Sequence, residues 1–527
     1  MNYTFVASDS AYYYVDVINT NDSATETKTA SAVSAVAYIV IAGVNDRIVR
    51  FYDSNLDFNA SAIVSENSID LPYYRSLYDL ESALYRAESS DNIANEIDYS
   101  LSADSNFYAT PNVVEIADQA GLNSVRSALD GKYIMLKDIA LSAISGENEN
   151  DFNQTYGWRP IGERYVAFAG IFNGDNHKIT GLWIDRPNEG FIGLFGYIDS
   201  EYYPIIPQIR NLGVEIANGK EVKGEDYVGA IAGSINHGAL IANSYSAGTV
   251  KGHGSYIGGL AGAVASYNAS IISCRSSARV IGDEYATEVG GITGWAHEAA
   301  IINSFSTGNV SGFYIVGGIA GSMHVYSSII NSYSTGNVSG NGGGVIGGIA
   351  GVVHSGSTIM NSYSTGDVIG IGVDVSLIGG IVGNADSGEA TNIIKNSYSR
   401  GNVSGYHIVG GIFGGGYHAY CSDTGNTIQN NAAINPSVTG NSYVNRVVGC
   451  VPDSPSVSNN FALSTMSGRF TDSGTEANHG VSKTSVELKT RSTYEADLGW
   501  QFGDDDDNPW KIDSSKNNGY PYLYWQD

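Results

Sequence analysis

Asn331-Ser332-Tyr333-Ser334 is one of five copies of a phrase, Asn-Ser-(Tyr/Phe)-Ser, that recur along the middle of this 527-residue chain. The copies begin at Asn243, Asn303, Asn331, Asn361 and Asn396. A degenerate copy, Ser273-Cys274-Arg275-Ser276, fills the gap after the first, so that successive copies lie 30, 30, 28, 30 and 35 residues apart. A fixed period near 30 residues predicts one structural unit stacked on itself, which is a solenoid.

A second, Gly-rich phrase precedes each copy, as in Val316-Gly317-Gly318-Ile319-Ala320-Gly321. The apolar positions are Val, Ile, Tyr and Phe in short runs between Gly, Asn, Ser and Thr, which is typical of short strands and tight turns rather than amphipathic helices. We expect the glycines either to adopt positive φ or to let two backbones pass closely. The unit therefore predicts an all-β, parallel β-solenoid, in which seven coils at about 4.8 Å per coil form a rod of roughly 34 Å.

Identical residues at matching positions of successive coils are expected to stack into ladders. An aromatic ladder would comprise Tyr245, Phe305, Tyr333, Tyr363 and Tyr398. The asparagines that open the phrase would form an amide ladder, and the core would contain Ile301, Ile329, Ile359 and Ile394. Alternation puts Ile329 and Tyr333 on one face only if the strand does not bend at Asn331, so the sequence leaves open whether the aromatic ladder faces inward.

These units resemble GLUG repeats, a family named for a Gly-Leu-aromatic-Gly signature, which stands here as Gly193-Leu194-Phe195-Gly196. Residues 168–182 (FAGIFNGDNHKITGL), 209–214 (IRNLGV), 498–500 (LGW) and 518–523 (NGYPYL) also fit the family. The resemblance covers roughly residues 112–527. It implies a right-handed β-solenoid in a secreted or surface protein of a bacterium or archaeon. Some members carry an appended zinc peptidase and others are adhesin-like.

The chain is strongly acidic, with 54 acidic residues, 27 basic residues and a net charge of −27. Phosphate binding needs clustered Lys and Arg, so this balance argues against nucleic acid and against an anionic membrane surface as partners. Acidity is compatible with an extracellular protein, but the simpler explanation, which we favour, is that it keeps a β-rich surface soluble. Residues 301–366 contain no Asp, Glu, Lys or Arg. Such an uncharged wall suits hydrogen bonding, stacking on sugars or packing against another copy, unless it is merely solvated.

The repeat divides the chain into four parts. These are a non-repeat region at 1–110, an entry cap with the first coils at 111–226, the repeats at 227–454 and a C-terminal cap at 455–527. The first part is a candidate cap or assembly domain. A cap is required at each end because an open solenoid exposes unpaired strand edges.

Local patterns predict a few elements outside the repeats. Strands are expected within 5–17 and 35–52, helices over 77–87 and 116–129, and a strand over 133–136. The C-terminal aromatic cluster is expected to cover the last coil, and it comprises Trp500, Phe502, Trp510, Tyr520, Tyr522, Tyr524 and Trp525.

Localisation and cysteine chemistry are weakly marked in the sequence. The first residues lack the basic and apolar regions of a secretion signal, and residues 30–44 are too short and too mixed to span a membrane. The expectation of an extracellular or cell-surface location therefore comes from the family resemblance.

Three cysteines, Cys274, Cys421 and Cys450, leave at least one thiol unpaired or paired between chains, and a disulfide between the last two stays open.

No catalytic constellation stands out. His297-Glu298-Ala299-Ala300 begins like the zinc motif H-E-x-x-H, but Ile301 replaces the second histidine, so no metallopeptidase site is expected. Asp374, Asp386 and Glu389 lie in loops of adjacent units, either as a carboxylate cluster of the kind glycan-cleaving enzymes need or, as we favour, as solvated residues.

Two further groups are weighed as metal ligands. His324 and His354 are 30 residues apart and should stack, and His407 and His418 occupy comparable turns. Such a histidine ladder is a candidate weak metal site, although exposed turn residues are the default. The acidic run at residues 504–507 is a candidate calcium site, but it lacks the ligand spacing of a calcium loop, so a solvated turn is favoured and no cofactor is expected.

These observations favour a non-catalytic, adhesin-like or structural module that binds a surface glycan or protein through its uncharged wall. Neither nucleic-acid binding nor membrane insertion is expected. The first alternative is self-association as a subunit of an extracellular filament or surface layer, assembled through the N-terminal region. The second is a carbohydrate-active β-helix enzyme.

Overall fold

The computed structural model describes residues 112–143, 152–199, 206–342, 344–372, 376–388, 390–416, 425–450, 457–470 and 476–526, together with strand residues between 11 and 108. The chain divides into two compact units, Met1–Val114 and Glu115–Asp527.

The first unit is β-rich in its described residues. Two antiparallel pairs join Ala11–Tyr13 to Ala37–Ile39 and Asp16–Thr20 to Thr29–Val33. A further sheet has the strand order Ser68–Asp70, Phe58–Ser65, Arg47–Tyr52 and Ser105–Tyr108. The strands expected within 5–17 and 35–52 are therefore present in shorter pieces. The helix expected over 77–87 lies outside the described residues.

The second unit is a parallel β-solenoid, as predicted, and each regular coil contains five short strands. One such coil runs through Ile315–Gly317, Ala320–His324, Ser328–Ile330, Tyr333–Ser334 and Val338–Gly340. Each strand pairs in parallel with its counterpart one coil later. We number the resulting sheets 1 to 5 in this order.

The described strands of the five sheets are as follows. Sheet 1 contains Ile257–Gly258, Glu288–Gly290, Ile315–Gly317, Val345–Gly347, Leu377–Gly379, Ile408–Gly410 and Val444–Asn445. Sheets 2 and 3 form one continuous system with Val113–Ile116, Lys132–Met135, Ile171–Asn173, Phe195–Ile198, Gln208–Arg210, Ala232–Asn236, Leu240–Ala242, Ala261–Ile272, Thr293–Ile302, Ala320–His324, Ser328–Ile330, Ala350–His354, Thr358–Met360, Val382–Asp386, Asn392–Lys395, Phe413–Gly415, Asn426–Gln429 and Val457–Ser458. Sheet 4 contains Ile139–Ala140, Lys178–Leu182, Gly213–Ile216, Tyr245–Ala247, Arg275–Ser276, Phe305–Ser306, Tyr333–Ser334, Tyr363–Ser364, Tyr398–Ser399, Ala432–Ala433, Phe461–Leu463 and Val481–Lys483. Sheet 5 contains Ile184–Asp185, Val222–Gly224, Thr249–Gly252, Arg279–Gly282, Val310–Gly312, Val338–Gly340, Val368–Gly370, Val403–Ser404 and Val438–Thr439.

The rod is longer than the repeats alone predict. Sheet 4 has twelve strands in the described part of the chain, and eleven spacings of about 4.8 Å give a length of roughly 53 Å. The extra rungs come from the entry coils and from C-terminal residues such as Val481–Lys483, which pairs with Phe461–Leu463. The right-handed sense that the resemblance implies stays a prediction.

Short helices flank the coils. At the entry, Gln119–Ser124 is α-helical and Val125–Ser127 is a 3₁₀-helix, so the helix is shorter than the range 116–129 expected for it. Its start is fixed by Asp118, whose Oδ1 accepts the Gly121 N–H at 2.8 Å. The C-terminal helices are the α-helices Glu476–His479 and Arg491–Asp497 and the 3₁₀-helices Glu487–Lys489, Asn517–Gly519 and Tyr524–Gln526.

The core is a column of branched aliphatic side chains. Ile301, Ile329, Ile359 and Ile394 pair in register across successive coils and are fully buried. The glycines of the second phrase serve close approach rather than positive φ: a Cβ on Gly318 would overlap the Gly348 carbonyl oxygen. The coil is therefore too narrow at sheet 1 for any side chain at this position.

Two of the three cysteines lie among the described residues. Cys274 is a free, buried thiol and Cys450 is disulfide-bonded, whereas Cys421 lies outside the described residues. Among the residues that the structure describes, no helix has the length and apolar character needed to cross a membrane.

Candidate binding wall

Each copy of the Asn-Ser-(Tyr/Phe)-Ser phrase lies at the bend between sheets 3 and 4. The asparagines that open the five copies all have left-handed backbones, with φ between 48° and 51°. Asparagine tolerates this region better than other non-glycine residues because its short polar side chain bonds locally. The bend interrupts strand alternation, so Ile329 lies in the core while Tyr333 faces outward and packs against Trp525.

Amide hydrogen bonds join some of these asparagines. Asn361 Nδ2 donates to Asn331 Oδ1 at 3.2 Å, and Asn396 Nδ2 donates to Asn361 Oδ1 at 3.3 Å. Asn303 Nδ2 donates instead to a carboxylate oxygen of Asp506 at 3.0 Å. Asn243, in the first copy, is exposed. The column of amides thus changes partner along the rod.

The serine after each asparagine ties adjacent coils together from the inside. Ser304 N donates to Ser332 Oγ at 3.1 Å, and Ser332 N donates to Ser362 Oγ at 3.2 Å. In the degenerate copy the thiol of Cys274 takes this place and accepts the Ser244 N–H at 3.4 Å. The free cysteine is therefore a substitute for serine in a structural position.

The aromatic residues of the phrase form a column on the outside of sheet 4. Four rings stack nearly parallel, with centroids 4.7, 4.9 and 4.8 Å apart and interplanar angles of 7°, 4° and 4°. These rings belong to Phe305, Tyr333, Tyr363 and Tyr398. Tyr245 stands apart from them because Arg275 of the degenerate copy occupies the coil between, with its guanidinium carbon 4.7 Å from the Tyr245 ring.

The C-terminal segment, residues 500–526, lies along this column and covers it. The ring of Trp525 lies 5.8 Å from Phe305 and 5.5 Å from Tyr333, between centroids. Trp510 lies 6.3 Å from Tyr363 and 6.0 Å from Tyr398. The sequence predicts that this aromatic cluster covers the last coil, whereas in the structure the cluster lies along the side of sheet 4. The stacked rings give the indoles a continuous apolar strip to cover.

Polar contacts fix the same segment. Tyr398 Oη donates to the Pro521 carbonyl at 2.8 Å, and Gln526 Nε2 donates to Tyr363 Oη at 2.8 Å. Arg400 also donates to a backbone carbonyl of the segment at 2.9 Å. Burial raises the pKa of the Tyr363 and Tyr398 hydroxyls, so both remain protonated near neutral pH. Part of the uncharged wall is therefore occupied by the chain itself.

The acidic run at 504–507 joins this segment to the wall. Asp506 Oδ1 accepts hydrogen bonds from Asn303 Nδ2 at 3.0 Å and from Asn331 Nδ2 at 3.4 Å. Asp504 Oδ1 lies 2.5 Å from Lys511 Nζ. Because these carboxylates have different protein partners, the arrangement argues against a shared calcium ion. Within the described ranges, no group of three or more His, Cys, Asp or Glu side chains is placed to hold a metal.

An open groove continues the wall where the C-terminal segment ends. It has a volume of about 530 Å³ and is bordered at one end by Tyr524 and Trp525. The bend contributes Asn243, Ser273 and Asn303, and sheet 4 contributes Tyr245, Arg275 and Phe305. We call it the wall groove. The side chains of Asn243, Ser273 and Arg275 are exposed in it.

One carboxylate beside the wall groove is fully engaged. Glu215 Oε1 accepts a hydrogen bond from Tyr245 Oη at 3.1 Å and lies 3.2 Å from Lys178 Nζ. Lys178 Nζ lies within 3.3 Å of both carboxylate oxygens, so neither oxygen is left free to take a proton from a substrate. The arrangement fixes the Tyr245 ring instead.

The candidate histidines lie on a different wall, outside sheet 2. The rings of His324 and His354 are stacked with centroids 5.3 Å apart, and His297 lies 6.5 Å from His324. Burial, reinforced by the two neighbouring imidazoles, lowers the pKa of His324 to about 4. His354 Nε2 lies 3.4 Å from Asp386 Oδ2. His324 is therefore neutral at physiological pH.

His407, a further candidate, is not brought to these walls. His407 lies beside Tyr443, with ring centroids 6.1 Å apart. Asp374, Glu389 and His418 lie outside the described residues.

The chain matches two known proteins over about a quarter of its own length and over a small part of theirs. No family model matches the chain. A 150-residue stretch, 28% of this chain, is 31% identical to halomucin of Haloquadratum walsbyi and covers 2% of that protein. A 137-residue stretch, 26% of this chain, is 31% identical to a "putative Gly-rich membrane protein" of Evansella cellulosilytica and covers 13% of it. A solved structure described as a "putative immunoglobulin A1 protease" of Bacteroides ovatus aligns over 78% of this chain and 92% of its own, with a TM-score of 0.35 and 19% identity.

Proposed function

We propose that this chain is a non-catalytic, extracellular β-solenoid that binds a glycan or protein at a cell surface through its side wall. The observation that carries the proposal is the wall groove. There the exposed amide of Asn243, the ring of Tyr245 and the guanidinium of Arg275 lie together on a rigid, repetitive frame. Amide, aromatic and guanidinium groups together offer directional hydrogen bonds and an apolar contact surface.

The covered part of the same wall supports this role. In the coils from Phe305 to Tyr398 the wall holds an extended segment through ring contacts and hydrogen bonds from Asn and Tyr side chains. The surface therefore has the chemistry to bind an elongated ligand. The names of the two relatives, halomucin and a Gly-rich membrane protein, fit a surface location. The engaged state of Glu215 favours binding over glycan cleavage.

A glycan array and a panel of extracellular proteins test the proposal. The wild-type chain should bind at least one class of ligand, and Tyr245→Ala and Arg275→Gln should each weaken that binding. The matched control is Tyr267→Ala, which removes a tyrosine that is 71% exposed elsewhere on the rod. Equal binding by all four proteins would contradict the proposal, as would the absence of any ligand.

The same preparation distinguishes the two alternatives. Ordered polymers in negative-stain micrographs would favour the filament or surface-layer subunit. Release of reducing ends from a polysaccharide would favour the carbohydrate-active enzyme.

A further inference from the structure

A second cavity lies in the entry coils and shares no lining residue with the wall groove. It has a volume of about 450 Å³ and lies between residues 159–165 and residues 186–192. Three arginines line it, Arg159, Arg164 and Arg186. Such a cluster is notable in a chain with twice as many acidic as basic residues. We call it the arginine cavity.

The side chain of Arg186 is buried without enough partners. It is 6% exposed, and its Nη1 donates to both carboxylate oxygens of Glu189 at 3.0 and 3.2 Å. Among the residues that the structure describes, its Nε and Nη2 have no hydrogen-bond partner. The guanidinium carbon lies 5.3 Å from the ring centroid of Tyr156. Buried charged donors without acceptors are costly and rare, so they point to an absent acceptor.

The carboxylates at the cavity leave one guanidinium uncompensated. Glu189 is paired with Arg186, and Glu163 is paired with Arg159 at 2.5 Å. Arg164 is exposed, and its guanidinium carbon lies 6.0 Å from the ring centroid of Tyr165. Among the described residues that line the cavity, three guanidinium groups against two carboxylates leave a positive lining, which suits a ligand with one carboxylate.

An aromatic stack begins at the same cavity. Phe191 lines it and stacks on Tyr227 at 4.5 Å, and Tyr227 lies 4.8 Å from Tyr256. The three residues have φ values of 60°, 54° and 64°. Bulky residues rarely adopt this left-handed conformation, which costs on the order of 1–3 kcal/mol per residue and is concentrated at functional sites. The fold therefore accepts strain to place Phe191 at the cavity, with the rings of Tyr227 and Tyr256 stacked behind it.

We propose that the arginine cavity binds a uronic acid unit of an acidic polysaccharide. The planar carboxylate matches the donor fork of a guanidinium, and the C–H face of the sugar ring packs against Phe191. An extended acidic peptide fits less well, because both edges of the bordering strands are occupied. Ile184–Asp185 and Phe195–Ile198 pair with the next coil on one side, and on the other side Ile184 bridges to Gly157 and Phe195 to Ile161. The inference does not depend on the wall groove, since no residue lines both sites.

Calorimetric titration of the full chain with an oligogalacturonate tests the inference. We expect saturable binding that weakens with added salt, and Arg164→Gln and Arg186→Lys should each reduce affinity about tenfold or more. Arg279→Gln, which removes an exposed arginine that lines neither the arginine cavity nor the wall groove, should leave this affinity unchanged. The oligomer should also raise the melting temperature of the wild-type chain more than that of Arg164→Gln.

Several results would overturn the inference. They are no binding of the oligogalacturonate, equal binding by Arg164→Gln, and equal binding of a neutral malto-oligosaccharide. Equally tight binding of free acetate or poly-aspartate would also overturn it, because the ligand would then not be an acidic sugar. Arg164 is exposed, so its substitution tests the site even if the buried Arg186 cannot be replaced without unfolding. Loss of binding in Arg275→Gln alone would assign the ligand to the wall groove.

Discussion

Replacing Trp510 with alanine should release the C-terminal segment from the aromatic column and leave the coils intact. Trp510 is fully buried, stacks on Trp500 at 4.5 Å and contacts Tyr363 and Tyr398. A buried aromatic side chain removes about 150–250 Å² from water, worth about 4–6 kcal/mol at about 25 cal/mol/Å². An alanine side chain retains a small part of this buried area, and truncation of a buried aromatic residue to alanine typically costs about 3–5 kcal/mol of stability. We therefore expect a loss of about 4 kcal/mol in the docking of this segment.

Hydrogen exchange followed by mass spectrometry measures that loss by segment. A loss of about 4 kcal/mol should speed exchange of amides in residues 500–526 by nearly three orders of magnitude, or until they are unprotected. Amides of the Ile329 column should keep their protection, because sheet pairing in the coils does not involve Trp510. The control is Trp295→Ala, which removes an indole from the opposite wall and should leave the segment protected. If Trp510→Ala unfolds the whole rod, or leaves residues 500–526 protected, the lateral docking described above is incorrect.

Three further predictions concern the coil. The pKa of His324 in the folded chain, about 4, lies below its unfolded value, so its neutral form contributes stability above about pH 6.5 that is lost as the pH falls towards 4. The free energy of unfolding, measured with urea, should therefore drop between about pH 7 and pH 4.5. His324→Gln should make this drop smaller by up to about 3 kcal/mol. Ser332→Ala leaves the buried backbone N–H of Ser304 without an acceptor and should reduce the free energy of unfolding by about 1–3 kcal/mol. Cys274→Ser keeps an acceptor for the Ser244 N–H and should change it by less than about 1 kcal/mol. Equal urea midpoints for the two variants would contradict the serine ladder. Gly348→Ala would place a Cβ 2.5 Å from a buried serine hydroxyl and against a carbonyl, so it should lower the melting temperature by several degrees, while Gly121→Ala, with no atom nearer than 3.5 Å, should not.

The repeat carries enough information to predict the coil. The spacing of Ile329 and Ile359 places them in register one coil apart, and the structure pairs them. The left-handed backbone conformation at Asn331 could not be predicted from the sequence, because an asparagine before a strand is compatible with both a turn and a continuous strand. Once φ at Asn331 is 49°, the side chains that follow change face. Local sequence thus predicted the rungs, while the direction of the aromatic column depended on one dihedral angle.

The path of the C-terminal segment could not be predicted from the sequence. It depends on contacts between residues with no shared period, such as Asp506 and Asn303, which lie 203 positions apart. In the sequence the acidic run at 504–507 is a candidate calcium site because its immediate neighbours are carboxylates. Its partners are amides that belong to the repeats. In the same way, Arg275 marks a degenerate copy in the sequence, but only the structure shows that it ends the ring stack and opens the wall groove.

Tyrosine nitration of the intact chain, mapped by mass spectrometry, tests most directly whether the wall is covered in its C-terminal coils and open elsewhere. Tyr363 and Tyr398 are 2% and 0% exposed, whereas Tyr267 and Tyr326 are each 71% exposed. We predict rapid nitration of the exposed pair and protection of the buried pair, with protection lost in Trp510→Ala. Nitration of Tyr363 and Tyr398 in the wild-type chain at the rate of Tyr267 would show that the C-terminal segment does not cover the aromatic column.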